Sequence, residues 1–215
     1  MTVSQTPMDR PKRAVDRIRE AARELFYRRG IRDVGVEEIV TTAGVTKPSL
    51  YRAFASKDEL AAAYIRDYDA EFWARFERVT APFADDGRAA ILAWLQSVED
   101  RTRTTLYRGC GMTNAAVEYP DRGHPARRAA VANKREYRRR LRALAARAGA
   151  PDPAMLGDAL LLLIEGSYAS AQLFDGDGPA IHLVAAGQAL IDRALTDAAL
   201  TPVPSSGPVP PSDNR

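Results

Sequence analysis

The sequence predicts an all-α protein, and three observations support this fold class. Apolar residues recur at the i, i+3, i+4, i+7 spacing of helices, whereas the apolar–polar alternation of strands is absent over any useful length. Glycines and prolines stand between the periodic segments, where helices end. Hydrophobic residues make up 46% of the 215-residue chain, which allows a sizeable core and excludes collagen-like and wholly disordered classes.

Two helices are expected at the start of the chain. The first spans about 13–29, with one apolar stripe, and Gly30 follows as its C-terminal stop. The second is short, from about 36 to 43, and Gly44 ends it in the same way. A three-residue turn then leads to the next element.

The third helix is predicted to have barely two turns, and the fourth is predicted to be long. Thr46 is a good N-cap for the third, and Pro48 is tolerated because the first helical turn needs no N–H donor. Ser56 and Glu59 have the spacing of a capping box at the start of the fourth helix. This helix is expected to continue to about Val79.

The C-terminal half is expected to contain five further helices and a tail. They comprise a helix carrying Ile91, Leu95, Val98 and Leu106, a short helix between the glycines at 109 and 111 and Pro120, a basic helix over 126–148, an apolar helix over 154–174, and a helix rich in small residues over 180–197. Residues 201–215 hold five prolines and almost nothing apolar to bury, so we expect a disordered tail there.

Charge and cysteine content narrow the class of protein. The net charge is only +3, but residues 1–57 hold twelve Lys or Arg against seven Asp or Glu, and residues 121–147 hold ten against two. Such clusters suit a polyanion partner, and a solvated basic face explains them about as well. Because Cys110 stands alone, no signal sequence opens the chain and no apolar run approaches membrane-spanning length, we expect a soluble cytoplasmic protein without a membrane partner.

Helices two and three, joined by a turn containing Gly44, have the anatomy of a helix-turn-helix, although any αα-corner shares this geometry. Residues 43–60 read AGVTKPSLYRAFASKDEL and closely resemble the helix-turn-helix signature of the TetR family of bacterial transcriptional regulators. The resemblance covers 13–65, including the segment IREAARELF at 18–26, and is loose beyond residue 80.

This resemblance implies a division of the chain into two domains and a tail. A three-helix helix-turn-helix DNA-binding domain would occupy 1–57. The long fourth helix would join it to a helical effector-binding and dimerisation domain over 58–200, followed by the Pro-rich tail over 201–215.

The resemblance also implies that the third helix enters the major groove of a double-stranded DNA operator. The residues expected to contact DNA are Thr46, Lys47, Pro48, Ser49, Tyr51, Arg52 and Lys57. Those at 47, 48, 49 and 52 are the candidate readers of base edges, whereas those at 46, 51 and 57 would contact phosphates. For Tyr51, partial packing in the core is the alternative. The chain has Val34-Gly35-Val36 where the family usually has Thr or Ser, so backbone amides near Gly35 would have to supply that phosphate contact.

The C-terminal half is expected to hold a pocket for a small, mainly apolar effector. Mostly apolar walls with a few polar groups are what such a cavity needs, although each residue singly could be a core or interface residue with satisfied hydrogen bonds. The candidate ligand-binding residues are Trp94, Tyr107, Cys110, Met112, Asn114, Glu165, Tyr168 and Gln172. Effector binding would act through the fourth helix on the spacing of the two recognition helices.

The last two helices are expected to form a homodimer interface. Leucines lie on every side of the helix over 154–174, more than one neighbour can cover, and the Ala-Ala-Gly patch at 185–187 permits close approach. The interface candidates are Leu160, Leu163, Ile164, Val184, Gln188 and Ile191. A two-fold dimer predicts a near-palindromic operator.

The sequence does not predict an enzyme. His124 and His182 have no cysteine or carboxylate at metal-ligand spacing, and Cys110 has no adjacent histidine to activate it. We therefore expect no cofactor and no metal. The function expected from the family resemblance is that of a repressor released by its effector. The alternatives are a helical regulator without a small-molecule effector, and a module whose basic helix binds a membrane surface or a protein.

Overall fold

The computed structural model describes residues 12–105, 107–174 and 176–196, and every regular element within them is helical. The helices are α1 (Ala14–Arg29), α2 (Val36–Ala43), α3 (Lys47–Ala53), α4 (Lys57–Thr80), α5 (Gly87–Thr102), α6 (Gly111–Glu118), α7 (Pro125–Arg147), α8 (Pro153–Ser170) and α9 (Leu183–Thr196). Short 3₁₀ turns follow α4 and precede α9. The predicted all-α fold class is confirmed, and the predicted tail over 201–215 lies outside the described residues.

The N-terminal helix boundaries follow from local chemistry much as predicted. Gly30 and Gly44 end α1 and α2 with φ of 94° and 61°, in a region that favours glycine. The Ser56 hydroxyl accepts the Glu59 N–H at 3.1 Å, but the Glu59 carboxylate accepts the N–H of Ala55 rather than that of Ser56. One bond of the predicted capping box thus goes to the N–H one residue earlier in the chain, and the two side chains still satisfy two backbone donors.

The N-cap of α3 differs from the expectation. Thr46 occupies the cap position, yet its side chain bonds to no backbone N–H of the helix. Its Oγ1 lies 3.0 Å from the Ser49 hydroxyl instead. Tertiary packing of Leu50, which is fully buried, holds this short helix in place.

One continuous core runs through the molecule, and α4 connects its two ends. Near the start of α4, the ring of Tyr64 packs edge-on against Phe26 of α1, with centroids 5.6 Å apart. Further along, Phe72 lies 5.0 Å from Tyr137 of α7 in a cluster of edge-to-face rings. The long helix is therefore packed against both halves of the chain.

Helices α7 and α8 approach each other closely because residue 157 has no side chain. A Cβ built on Gly157 would lie 2.6–2.7 Å from the backbone and Cγ of Arg142. Such distances are far below ordinary van der Waals contact. Only glycine fits this crossing without movement of the helices.

Two predicted helix ends were wrong. Helix α5 ends at Thr102 and does not extend to Leu106, which lies outside the described residues, so Tyr107 is in the connection to α6. The Thr102 hydroxyl bonds back to the Glu99 carbonyl at 2.7 Å, and the next hydroxyl, at Thr104, does the same to Arg101. Such back-bonding competes with the helical pattern. Helix α8 ends at Ser170, before Gln172.

Candidate functional site

The exposed face of α3 brings most of the predicted DNA-contact residues together. Leu50 points into the core with no exposed area, while the side chains on the opposite face are open to solvent. Tyr51 is 45% exposed, so the alternative of core packing for this residue is not what the structure has. The residues at 46, 47, 48 and 52 are exposed as well, and Ser49 is half-buried.

Polar contacts organise this face before any ligand binds. The Lys47 ammonium pairs with Glu37 of α2, which raises the pKa of Lys47 through a hydrogen bond and charge attraction. The Arg52 guanidinium donates to the Ser49 hydroxyl at 3.0 Å. A polyanion docking here has to replace Glu37 at Lys47, and it finds a preformed Arg52–Ser49 pair.

Lys57 is placed differently from the other six residues. Its Nζ donates to the carbonyl of Arg32 at 3.2 Å, in the connection between α1 and α2. Burial is the main cause of a lowered pKa for this ammonium. The side chain thus joins α4 to the α1–α2 connection, and a phosphate contact for it stays a prediction.

Sequence reasoning missed Arg17 of α1. Its guanidinium donates to the carbonyl of Gly44, at 3.1 Å, in the turn between α2 and α3. The two residues are 27 positions apart, so no local pattern could have indicated the contact. At the start of α2, Gly35 provides no side-chain cap, in keeping with the missing hydroxyl noted in the sequence.

Four of the eight predicted ligand-binding residues lie around one partly buried ammonium group, that of Lys134 on α7. Lys134 Nζ lies 3.3 Å from Cys110 Sγ, pairs with the Glu165 carboxylate, and stands 5.8 Å from the ring centroid of Tyr168. The ring of Tyr107 is 6.4 Å from that of Tyr168. No sequence pattern indicated a special role for Lys134, which lies within the predicted basic helix over 126–148.

The charges in this cluster compensate each other. Burial alone would lower the pKa of Lys134, but Cys110 and Glu165 outweigh it and raise that pKa, so the ammonium stays charged. Thr113 donates its hydroxyl to the other Glu165 oxygen at 2.8 Å. The Tyr107 hydroxyl, in contrast, is buried with no hydrogen-bond partner in the described part of the chain.

The other four predicted ligand-binding residues have separate surroundings. Trp94 is fully buried, donates its indole N–H to Tyr137 and packs against two phenylalanines of α4, and Met112 is also fully buried. Asn114 donates to the Arg108 carbonyl at 2.6 Å. Gln172 is exposed.

Three of the predicted dimer-interface residues have no exposed surface that a second copy of the chain could contact. Leu160, Ile164 and Ile191 are fully buried inside the chain's own core. The residues at 163 and 184 are half-buried, and Gln188 is exposed. The large apolar side chains of α8 that are exposed are instead Leu162, at 74%, and Met155, at 37%.

The Ala-Ala-Gly patch also faces partly inward. A Cβ on Gly187 would lie 2.2 Å from Leu95 of α5, so this glycine permits close approach within the chain. Ala185 and Ala186, by contrast, are exposed.

The arginines of the basic helix α7 are largely engaged within the chain. Arg138 and Arg142 both bind Asp158 of α8, and Arg140 bridges Glu77 of α4 and Glu136 of its own helix. This helix is therefore attached to its neighbours by ion pairs.

Metal-binding clusters and membrane-spanning helices are both absent from the described residues. No three His, Cys, Asp or Glu side chains there are grouped to hold a metal ion. None of the described helices combines the length and apolar character needed to cross a bilayer.

The chain is similar to known transcriptional regulators in sequence and in fold. The model of the family described as bacterial regulatory proteins, tetR family, matches residues 18–64. An uncharacterized HTH-type transcriptional regulator of Mycobacterium tuberculosis is 41% identical over 56 residues, which is 26% of this chain and 28% of that protein. The match thus spans less than a third of the curated relative's length.

Two solved structures are similar over most of the chain. A TetR-family transcriptional regulator from Streptomyces coelicolor is 29% identical with a TM-score of 0.79, over 85% of this chain and 96% of that one. A TetR-type transcriptional regulator from Streptomyces avermitilis is 34% identical with a TM-score of 0.76, over 85% of this chain and 98% of that one.

Proposed function

The chain belongs to the TetR family of bacterial transcriptional regulators, and on that premise we propose that it is a repressor released from a near-palindromic DNA operator by a small organic effector. Members of this family bind DNA through a helix-turn-helix and are not enzymes. The observation that carries the proposal is the face of α3, where polar side chains surround the exposed Tyr51 opposite a fully buried Leu50.

The proposed roles on α3 follow from the chemistry of each side chain. Lys47 and Arg52 read base edges in the major groove, because their donors match the O6 and N7 acceptors of guanine. Pro48 and Ser49 complete the reading surface. Thr46 and Tyr51 contact phosphates and so fix the orientation of the helix.

The proposed domain division places 1–57 on the operator and 58–200 in effector binding and dimerisation. We assign the homodimer interface to the exposed faces of α8 and α9, with Leu162 added to Leu163, Val184 and Gln188. Leu162 is 74% exposed beside half-buried apolar residues of α8 and α9, and a two-fold interface would cover this face. Cytoplasmic operation fits this role.

The alternative function as a basic-helix interaction module has less support. Arg138, Arg140 and Arg142 are held by carboxylates of α4, α7 and α8, so their charge is not free for a membrane surface. A regulator without a small-molecule effector remains the alternative within the family.

The experiment that tests operator recognition is selection of bound duplexes from random DNA, followed by binding measurements on the selected site and on its single-base variants. Lys47→Ala and Arg52→Ala should each cost about 1–3 kcal/mol at particular base pairs. Tyr51→Phe should weaken binding to all sequences alike, because it removes a phosphate contact. Arg88→Ala, which removes a partner of Asp192 far from α3, is the matched control and should leave DNA binding unchanged.

Two outcomes would contradict the proposal. Uniform weakening on every sequence by the variants at 47 and 52 would refute the assignment of base reading. Selection of no common sequence, or of sequences without two-fold symmetry, would refute the palindromic operator.

A further inference from the structure

A groove crosses the surface from α1 over α4 to the last turn of α5. Tyr64 and Tyr68 of α4 lie along it, and Arg101 of α5 stands where its parts join. Two adjoining parts have volumes of about 310 and 280 Å³, which suits a molecule of one or two rings.

The part of the groove between α4 and α5 is strongly cationic. Three arginines line it, at 75, 78 and 101, and Glu71 is its only acidic residue. Glu71 is already bound by both terminal nitrogens of Arg23 on α1. Across 12–105, 107–174 and 176–196, no carboxylate lies within ion-pair distance of the three arginines, and the neighbours of Arg75 and Arg101 are aromatic rings and phenols instead.

Arg101 is the residue that makes this more than a basic surface. It is half-buried, and the neighbours that affect its charge are phenols, those of Tyr68, Tyr27 and Tyr107. A guanidinium cannot shed its proton, so partial burial without a carboxylate leaves a desolvation cost that a bound anion would offset. The Tyr107 hydroxyl, which is buried and finds no hydrogen-bond partner among the residues described, belongs to the same group of phenols.

Aromatic rings supply the apolar part of the site. Tyr68 and Phe72 of α4 line the cationic part, and Tyr64 continues the wall toward α1. The Arg75 guanidinium stacks over the Trp94 ring at 4.8 Å, which holds its charge at the edge of the groove. Tyr64 and Phe72 are only 5% exposed and Tyr68 is half-buried, so the rings offer the groove a narrow apolar wall that an organic ring could contact and a bare inorganic ion could not.

We propose that this groove binds an aromatic organic anion, with its oxyanion on Arg101 and its ring against Tyr68 and Tyr64. The guanidinium fork matches carboxylate, sulfonate and phosphate groups, which share planar or near-planar pairs of oxygens. Binding of the anion does not depend on the proposed function. Only the effect of that binding on the operator rests on the proposed role as a repressor.

A route from this site to the DNA-binding helices is present in the structure. The Tyr27 hydroxyl of α1 accepts the N–H of Arg108 at 3.1 Å and donates to the carbonyl of Gly109 at 3.3 Å. These two residues directly follow Tyr107 in the connection from α5 to α6. An anion that draws Arg101 and Tyr107 toward itself would therefore act on α1.

The test uses the full chain without DNA and two fluorescent probes with the same rings. One is 8-anilinonaphthalene-1-sulfonate, an aromatic anion, and the other is N-phenyl-1-naphthylamine, which lacks the sulfonate. We expect one saturable sulfonate site per chain. Arg101→Gln should weaken the sulfonate probe about tenfold or more, equivalent to about 1.4 kcal/mol, and leave the neutral probe unchanged. Arg135→Gln, which removes an exposed arginine of α7, is the matched control and should change neither.

Further variants and two competitors test the same site. Arg101→Lys should bind the sulfonate more weakly than the wild type, because it keeps the charge and loses the fork. If Arg101→Gln does not fold, the exposed Arg78→Gln should still weaken the anionic probe alone. Competition by benzoate and by phenyl phosphate distinguishes a carboxylate site from a phosphate site, and displacement by either supports the proposal.

The inference is overturned if the two probes respond alike to Arg101→Gln, or if Arg135→Gln weakens the sulfonate equally. It is also overturned if neither competitor displaces the probe. Failure of the site and failure of the proposed function remain distinguishable, because operator binding is measured on the same variants without probe. Loss of the anion site with intact operator binding contradicts only this inference.

Discussion

The loss of a buried phenol oxygen can be tested at two tyrosines, one whose hydroxyl accepts a hydrogen bond and one whose hydroxyl accepts none from the described residues. Tyr137→Phe and Tyr107→Phe each remove a single buried phenol oxygen. The Tyr137 oxygen accepts the indole N–H of Trp94, and both side chains are fully buried. The Tyr107 oxygen has no partner among the residues that the structure describes. The same substitution should therefore destabilise the protein at one position and not at the other.

The magnitudes follow from the hydrogen-bond partners. Tyr137→Phe leaves the Trp94 N–H buried without an acceptor, and this costs about 1–3 kcal/mol of unfolding free energy. Tyr107→Phe removes a buried polar atom that gains nothing in the folded state, so stability should be unchanged or rise by up to about 1 kcal/mol. For a chain of this size, about 2 kcal/mol corresponds to a fall in Tm of about 4–8 °C.

The assay is urea unfolding followed by far-UV circular dichroism, with thermal melts as a second measure. All variants are compared at one chain concentration, because dimerisation would otherwise shift apparent stability. Equal losses for Tyr137→Phe and Tyr107→Phe would refute the reasoning, since a generic cost of losing a phenol would then explain both. A destabilised Tyr107→Phe would show that its hydroxyl has a partner in solution.

Three further predictions concern the C-terminal half. Gly157→Ala should lower Tm, because the added Cβ would lie 2.6–2.7 Å from atoms of Arg142. Such overpacking costs about 1–3 kcal/mol, more than the gain in helix propensity. An unchanged or higher Tm would contradict this prediction. Hydrogen bonds from Arg138 and Arg142 hold the pKa of Asp158 well below its ordinary value. The stability difference between the wild type and Asp158→Asn, about 1 kcal/mol for such a half-exposed group, should therefore be constant above about pH 5 and shrink as pH falls further; a difference unaffected by acid would contradict it. Leu162→Glu should shift sedimentation toward monomers, and clean dimers would place the interface elsewhere.

The sequence predicted helix ends well where a single residue type has a physical reason to be there. Gly30 and Gly44 end α1 and α2 because each has a positive φ, which glycine adopts without strain. The end of α5 was not predictable in this way. It depends on threonine hydroxyls at 102 and 104 bonding back to carbonyls, and threonine is also common within helices.

The candidate sites likewise differ in how far they could be predicted from local sequence. The residues of α3 are close in sequence, so a local motif could place them on one face. Lys134 and Arg101 have no such signal, because their environments are assembled from helices far apart in the chain. Periodicity also could not separate Leu162 from Ile164 on an all-apolar helix, although one is exposed and the other is fully buried.

The contact between α6 and the α1–α2 connection affects how the N-terminal helices can move. The Glu118 carboxylate accepts the N–H of Arg32 at 2.9 Å, and a Cβ on Gly30 would approach that carboxylate to 3.1 Å. The N-terminal helices are thus attached covalently through α4 and non-covalently through Glu118, in addition to the hydrogen bonds of Tyr27 with Arg108 and Gly109. A helix of 24 residues is about 36 Å long, so a tilt of about 5° at one end displaces the other by about 3 Å. With these non-covalent contacts intact, α1–α3 should move together with α6 and should not rotate independently about α4.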